Sequence, residues 1–429
     1  MKTIYQIKEY GSFITGKEID GYETLPERTF EQLENFILTH SGKDADALEI
    51  MGLSARRGIG KVITAKNFVG LISMADGTTI EILPKVFSVI DDDSDGKRTK
   101  KLLIDMLKTL RNSPYKSLQT SSIDIEKMNI FEIFIRMFID EVFVIVKRGL
   151  KCSYKTVEEN TTFFRGKMKF SQQIKHNHAH KERSYVEYDT FSSNRPENRL
   201  LKATLQYLYR CSSSSRNRND IKVLLNSFAE VEASVDYKGD FVKYVPDRNM
   251  KDYTTALLWS KVFLAGKSFT SFSGSEVALV LLFPMETLFE SYIAARLKKK
   301  LGSLQFSVST QDKSHHLFDE PRKKFLLKPD IVIRKKDDDT VFVMDTKWKI
   351  LAESKPNYGI SQADMYQMYA YQKKYNARNV TLLYPQTDKL KNGNTIEFHS
   401  DDGVTVRVRF VDLFAVEESL DEILEPILS

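Results

Sequence analysis

Phe325–Lys349 reads FLLKPDIVIRKKDDDTVFVMDTKWK. Two strand-like runs, Phe325–Arg334 and Val341–Lys347, flank a polar turn at Lys335–Thr340. A hairpin bent there brings Asp330 close to the end of the second run. Asp345 and Lys347 are two residues apart, so on a strand they share one face. The residues before them (Val341, Phe342, Val343, Met344) are apolar. Two charges ending such a strand must be paired, solvated at an edge, or bound to a metal. Two carboxylates and an ammonium converging on one point suit phosphodiester hydrolysis. Mg²⁺ prefers oxygen ligands and keeps some of its waters; it polarises a phosphoryl oxygen and lowers the pKa of a bound water. Lys347 would position or help deprotonate the attacking water, or stabilise the pentacoordinate charge. The Thr346 carbonyl lies between the two charged residues and could add a further oxygen ligand. The plainer alternative is a surface hairpin with a weak acid–lysine ion pair, since an Asp-x-Lys triplet alone is common.

Outward from this hairpin the pattern is α/β. Glu276–Leu301 reads as one long apolar-striped helix ending on Lys298, Lys299 and Lys300, where cations complement the helix dipole. Strands are expected at Phe306–Ser309, Asn379–Tyr384 and Val404–Val411, a helix at Gln362–Tyr375, and an acidic tail at the end. The first hundred residues are strand-rich. Val69–Ile72 and Thr79–Leu83 flank Asp76-Gly77, a favoured hairpin pair, and Asp91–Lys100 (DDDSDGKRTK) reads as a loop or boundary. The middle is helical: Leu102, Leu103, Met106 and Leu110 share a helical face, and further helices are expected at Ile125–Val146 and Asn194–Leu208, the latter with Pro196 near its start. Ser- and Asn-rich Cys211–Asp220 reads as an exposed connection. The expected division is a strand-rich module at 1–99, a mostly helical region at 100–270 and an α/β core at 271–429.

Composition bounds the class. Apolar residues make up 41% and charged residues 28% of 429, which excludes collagen-like, disordered and disulfide-scaffold chains. The formal charge of +6 is too mild to argue for a polyanion partner by itself. Cys152 and Cys211 make neither a disulfide framework nor a four-thiolate metal site, and read as apolar filler in a reducing compartment. The longest apolar stretch, Ile130–Val146, is interrupted by Glu132, Arg136, Asp140 and Glu141, so no membrane span is expected. With no apolar leader at the start, a cytoplasmic protein is expected.

The hairpin resembles the PD-(D/E)xK nuclease core, and its surroundings resemble the McrC subunit of McrBC-type restriction systems. PMETLFE (Pro284–Glu290) is similar to that family's helix before the site, and FLLKPD and VMDTKWK to its catalytic strands. DMYQMYAY (Asp364–Tyr371) is similar to the following helix, with a Q-x-x-x-Y pattern shared with RecB-like nucleases. TIEILPK (Thr79–Lys85), FRGK (Phe164–Lys167) and NRLLK (Asn198–Lys202) also resemble McrC segments. The resemblance implies that Asp330 and Asp345 bind metal, that Lys347 is the catalytic lysine, and that Glu290 helps hold the metal or its waters, with Glu286 competing one turn earlier. Gln367 and Tyr371 would support the site or touch the DNA backbone, although both could equally be packing residues. Trp348 and Lys349 are expected to continue the strand, with Lys349 near phosphate or simply solvated.

This chain has no convincing phosphate loop, and the resemblance implies that a separate AAA+ GTPase, a McrB-like hexamer, supplies the motor. Gly11–Lys17 fits G-x-x-x-x-G-K but is followed by Glu18 in place of a hydroxyl; Gly58–Lys61 lacks its first glycine, and Gly266-Lys267-Ser268 has Lys261 where that glycine belongs. Basic Ser54–Lys61 (SARRGIGK) reads as an exposed loop. In a McrC-like protein its Arg56, Arg57 and Lys61 become candidates for partner contact, since charged donors stabilise phosphoryl transfer. His176, His178 and His180 would share one face of a strand, but Lys175, Lys181 and Arg183 disfavour a cation there, and a solvated basic segment is the preferred reading. His315 and His316 read as loop residues. The expectation is a Mg²⁺-dependent deoxyribonuclease subunit acting on double-stranded DNA, with its assemblies dimerising on DNA. The alternatives are a free-standing RecB-like repair nuclease and a non-catalytic adaptor that stimulates a partner GTPase.

Overall fold

The computed structural model describes residues 3–39, 50–74, 76–86, 96–110, 128–244, 250–265, 277–302, 305–391 and 393–428. The chain is mixed α/β and forms two compact units, residues 1–130 with 268–429, and residues 131–267.

The first unit begins with β1 (Ile4–Lys8), β2 (Ser12–Ile14), β3 (Glu23–Thr24), α1 (Glu27–Thr39), β4 (Met51–Arg56), β5 (Gly60–Ala65), β6 (Phe68–Met74), β7 (Thr79–Leu83) and α2 (Lys97–Thr109). β3-β2-β5-β4 form one small sheet. The β6–β7 hairpin turns at the expected place: Gly77 N donates to the Met74 carbonyl, and the Asp76 carboxylate accepts from Thr78 N at 2.8 Å. The expected loop at Asp91–Lys100 is shorter than its composition suggests, because α2 starts at Lys97; residues 91–95 lie outside the described residues.

The second unit contains α3 (Ile130–Arg148), whose first residue belongs to the first unit, then β8 (Ser153–Thr161), β9 (Lys167–Met168), α4 (Phe170–Asn177), β10 (Ser184–Ser192), α5 (Pro196–Cys211), α6 (Ser215–Ser227), α7 (Tyr237–Lys243) and α8 (Lys251–Ala265). The residues 125–127 of the expected Ile125–Val146 helix lie outside the described residues. Cys211–Asp220 is not a loop: only Ser212–Ser214 separate α5 from α6. Their serines serve as caps, with the Ser214 hydroxyl accepting from Asn217 N and the buried Glu132 carboxylate accepting from Ser212, Ser213, Ser214 and Asn217. Nor do the three histidines share a strand face. His176 lies in the last turn of α4 and stacks on Tyr185, while His178 is the helix C-cap. Cys152 and Cys211 are half-buried thiols rather than core filler.

The first unit resumes with β11 (Val277–Pro284), α9 (Met285–Leu301), β12 (Phe306–Thr310), β13 (His316–Phe318), β14 (Lys324–Leu326), β15 (Ile331–Lys335), β16 (Val341–Thr346), α10 (Gln362–Tyr375), β17 (Asn379–Pro385), β18 (Thr395–His399), β19 (Thr405–Val411) and α11 (Val416–Leu428). The expected Glu276–Leu301 helix is therefore a strand followed by a helix. VALVLLFP is a continuous apolar run, which periodicity cannot assign. Pairing with β6 decides it, in the sheet β1-β7-β6-β11. Gly70 of β6 sits opposite Leu282 with φ of 133°, where a Cβ would come within 2.0 Å of the Leu281 carbonyl oxygen. The expected Phe325–Arg334 strand is likewise interrupted, since Leu327–Asp330 lie outside any strand and Pro329 cannot donate to a ladder. The acidic tail is helical as α11.

The C-terminal sheet runs β12-β15-β16-β17-β19-β18, parallel across β16-β17-β19 and antiparallel elsewhere. All six residues of β16 are buried, as for a strand covered on both faces. α10 packs on one face, its Met368, Tyr371 and Tyr375 in a core with Val332, Val343, Val380 and Leu382. α9 lies against β12 and β16.

One buried carboxylate joins the N-terminal strands to this sheet. Glu9, directly after β1, is 1% exposed. Burial pushes its pKa up to about 7, against hydrogen bonds from Lys85 N and the Trp348 indole. An acid raised by folding contributes stability that is complete below its unfolded pKa and is lost as pH rises through the folded value. Glu9→Gln is therefore expected to flatten the fall in stability between about pH 4.5 and 7, gaining at most about 3 kcal/mol above pH 8. Denaturant midpoints at pH 5.5 and 8.5 check this.

Candidate functional site

β15 and β16 form the hairpin expected from the sequence. Lys335 N donates to the Thr340 carbonyl, and Asp338 caps the turn by accepting from Thr340 N. The register pairs Ile331 with Met344 and Val332 with Val343. Continued one residue outward, it puts Asp330 opposite Asp345, both on the face that carries Val332 and Val343 and meets α10.

Asp330 is clamped. One carboxylate oxygen accepts from Thr346 N and Thr346 Oγ1, both at 2.8 Å, and the other accepts from Gln311 Nε2 at 3.1 Å. Asp345 is 1% exposed. Its Oδ2 lies 2.7 Å from Lys347 Nζ, yet it receives no well-aligned hydrogen bond, so the contact is an ion pair. Lys347 is anchored by its backbone N, which donates to the Leu383 carbonyl on β17 at 2.9 Å. Its ammonium also reaches Gln367 Oε1 at 3.3 Å and Asp364 at 3.8 Å, both on α10. Gln367 in turn donates to Tyr371 OH at 2.6 Å. Glu290 enters from α9 and accepts from the same Gln311 amide.

Three acids gathered in a half-dry corner resist ionisation. Burial and then Asp330 push Asp345 up to about 6. Burial raises Asp330 against the bonds from Thr346. Burial and then Asp330 lift Glu290 to about 7. For Lys347, burial pulls the pKa down, but Asp345, Asp364 and Asp330 outweigh it and hold the ammonium above its usual range. A divalent cation relieves this mutual repulsion. The donors are all oxygens, one of them a buried carboxylate oxygen without a good hydrogen bond, which fits a hard cation. Among the described residues no three His, Cys, Asp or Glu side chains form a complete metal site. The pair Asp330 and Asp345 suits Mg²⁺, which keeps waters and takes substrate phosphate oxygens.

Other sequence candidates lie elsewhere. Glu286 faces away, accepting from Asn67 Nδ2 at 2.5 Å, so Glu290 is the α9 carboxylate at this corner. β16 ends at Thr346, so Trp348 and Lys349 do not continue it. Lys349 Nζ donates to the Gly359 carbonyl at 2.5 Å. Arg56 and Arg57 flank the tip of the β4–β5 hairpin. Arg56 donates to Tyr22 OH, Lys61 pairs with Glu34 at 2.7 Å, and Arg57 is exposed. The Gly58–Lys61 segment is this hairpin turn, Gly11–Lys17 runs through β2, and Gly266-Lys267-Ser268 lies outside the described residues. His316 opens β13 rather than lying in a loop, while His315 is in the loop before it with its ring 4.3 Å from that of Tyr375.

Sequence reading missed Gln311 and Asp364. Asp364, Gln367 and Tyr371 fall three and seven residues apart, one helical face, and that spacing was available. Gln311 carries no such signal, since it reaches Glu290 and Asp330 from a turn with φ of 52°. Gln311→Ala is expected to weaken the apparent Mg²⁺ affinity about 10-fold or more, as loss of a ligand-orienting partner does; a Mg²⁺ titration of thermal stability measures it.

The sequence profile of the family described as "McrBC 5-methylcytosine restriction system component" matches residues 63–385. A chain in a refined half-complex from the tetradecameric assembly of Thermococcus gammatolerans McrB AAA+ hexamers with bound McrC is 20% identical, with a TM-score of 0.69 over 99% of this chain and 100% of that one. A chain in the cryo-EM structure of the Thermococcus gammatolerans McrBC complex is 19% identical, with a TM-score of 0.51 over 70% of this chain and 88% of that one. No curated protein sequence matches. Among the described residues, no helix is long and apolar enough to cross a membrane.

Proposed function

The chain belongs to the McrBC 5-methylcytosine restriction system component family, and on that premise we propose that it is the Mg²⁺-dependent nuclease subunit of a GTP-driven restriction complex acting on double-stranded DNA. The observation that carries this reading is the convergence of Asp330, Asp345 and Lys347 at one end of the β15–β16 hairpin, with Glu290 and Gln367 beside them. When bound, Mg²⁺ supplies Lewis acidity toward a phosphoryl oxygen and an acidified water.

Asp330 and Asp345 would hold the ion, with the Thr346 carbonyl a further candidate ligand. Thr346 fixes Asp330 through its N–H and hydroxyl. Gln311 orients Glu290 and Asp330 together. Lys347 orients the attacking water or helps take its proton, or stabilises the charge gathering on the phosphate. Gln367 and Asp364 keep its ammonium aimed at the corner, and Tyr371 backs Gln367. Lys349 is a candidate DNA-backbone contact.

The partner is proposed to be a separate AAA+ GTPase hexamer. The support is the whole-chain likeness to a chain in an assembly of McrB AAA+ hexamers with bound McrC. Arg57, exposed at the β4–β5 tip, is the best placed of Arg56, Arg57 and Lys61 to meet it. Cutting both DNA strands takes two such sites, so assemblies are expected to pair on DNA.

The test is reconstitution. The full chain, with and without the AAA+ partner, is incubated with methylated or unmethylated DNA, GTP and Mg²⁺. Cleavage requiring chain, partner and GTP together supports the proposal. Degradation by the chain alone without GTP points to a free-standing nuclease. A complex whose every activity survives Asp330→Ala points to an adaptor.

A further inference from the structure

We propose that Glu9 is a positioning residue for Lys347, acting from the N-terminal strands through Trp348. The proposal rests on the nuclease reading above. β16 ends at Thr346, and Lys347 is tied to the sheet by one backbone bond to Leu383. The next residue is held from another element. The Trp348 indole N–H reaches both Glu9 carboxylate oxygens, at 3.0 and 3.3 Å. Glu9 Oε2 also accepts from Lys85 N at 2.9 Å, and Glu9 N donates to the Leu83 carbonyl, so the carboxylate is locked to the end of β7. The Trp348 ring packs edge-on against Phe289 at 5.4 Å, beside Glu290.

A buried carboxylate is an expensive way to hold a tryptophan if packing were its only task. Here two N–H donors fix it, and it sets where the chain leaves the strand that presents Lys347. A one-ångström error at such a group is enough to lower catalysis about 100-fold. The strand-rich N-terminal segment thus completes the geometry of the C-terminal site.

The chain has two tryptophans, Trp259 and Trp348, so the full-length protein labelled with ¹⁵N at the indoles gives two assignable signals. In Glu9→Ala the Trp348 signal is expected to move while the Trp259 signal stays. In the assembled complex, kcat for cleavage is expected to fall about 10- to 100-fold, with the KM for DNA within about 2-fold. Glu9→Gln, whose amide oxygen still accepts, is expected to keep kcat within about 3-fold of wild type. Trp348→Phe preserves the ring against Phe289 but removes the N–H, and is expected to reproduce the kcat loss even if Glu9→Ala does not fold. An unmoved Trp348 signal in Glu9→Ala, or a wild-type kcat in folded Trp348→Phe, overturns the proposal. Lys347→Ala measured alongside separates the two readings: full cleavage by that variant overturns the nuclease assignment, whatever the indole signals do.

Discussion

Lys347→Ala is expected to lower the cleavage rate of the assembled complex by about 10²–10³-fold, the usual loss on removing one group that stabilises transition-state charge. KM for DNA should change little, because the contact strengthens as charge develops on the phosphate. The structure adds a second effect. The ammonium lies 2.7 Å from Asp345 and is the main attraction opposing burial and like-charge repulsion at that carboxylate. Without it, Asp345 is expected to hold its proton to higher pH, and the Mg²⁺ needed for half-maximal residual activity should rise. Single-turnover cleavage at several Mg²⁺ concentrations separates the two losses. Lys347→Arg should not restore activity fully, since a planar guanidinium cannot replace a compact ammonium tied to Asp345, Asp364 and Gln367.

Asp330→Asn is expected to abolish cleavage to a comparable degree, a loss of about 10³-fold, because it removes one of two carboxylates proposed to hold the ion. The fold should survive. The asparagine carbonyl can accept from Thr346 N and Oγ1 as the carboxylate does, and Gln311 Nε2 keeps its bond to Glu290 while losing only the longer contact at 3.1 Å. The metal-free variant should be at least as stable as wild type. Asp330 is a like-charge neighbour raising both Asp345 and Glu290, and neutralising it relieves that repulsion. The rise in melting temperature on adding Mg²⁺ to the wild-type chain should shrink or vanish in the variant. A complex that still cuts DNA with Asp330→Asn would remove the catalytic reading and leave the adaptor alternative.

The hairpin was legible because two independent patterns agreed: apolar strands of hairpin length, and charges placed at one end of both. The β15–β16 register places Asp330 opposite Asp345 as those patterns require. The strand-rich start and the helix at Gln362–Tyr375 were legible for a similar reason, through turn chemistry and period. What failed was decided by tertiary contact. VALVLLFP could be helix or strand by its own pattern, and becomes β11 through the approach that Gly70 allows. The serines near Cys211 are caps around Glu132, invisible until that acid is seen among them. Gln311 joins Glu290 to Asp330, and Glu9 joins Trp348 to Lys85, across separations that no local period encodes. Glu286 and Glu290 could not be separated by spacing, and the contact with Asn67 separates them.

The most direct measurement is the anomalous scattering of Mn²⁺ soaked into crystals of the full chain. One strong peak is expected touching the carboxylates of both Asp330 and Asp345, with its loss in crystals of Asp330→Asn. No peak at that corner, or an ordered ion held elsewhere while these two carboxylates keep only protein contacts, would contradict it.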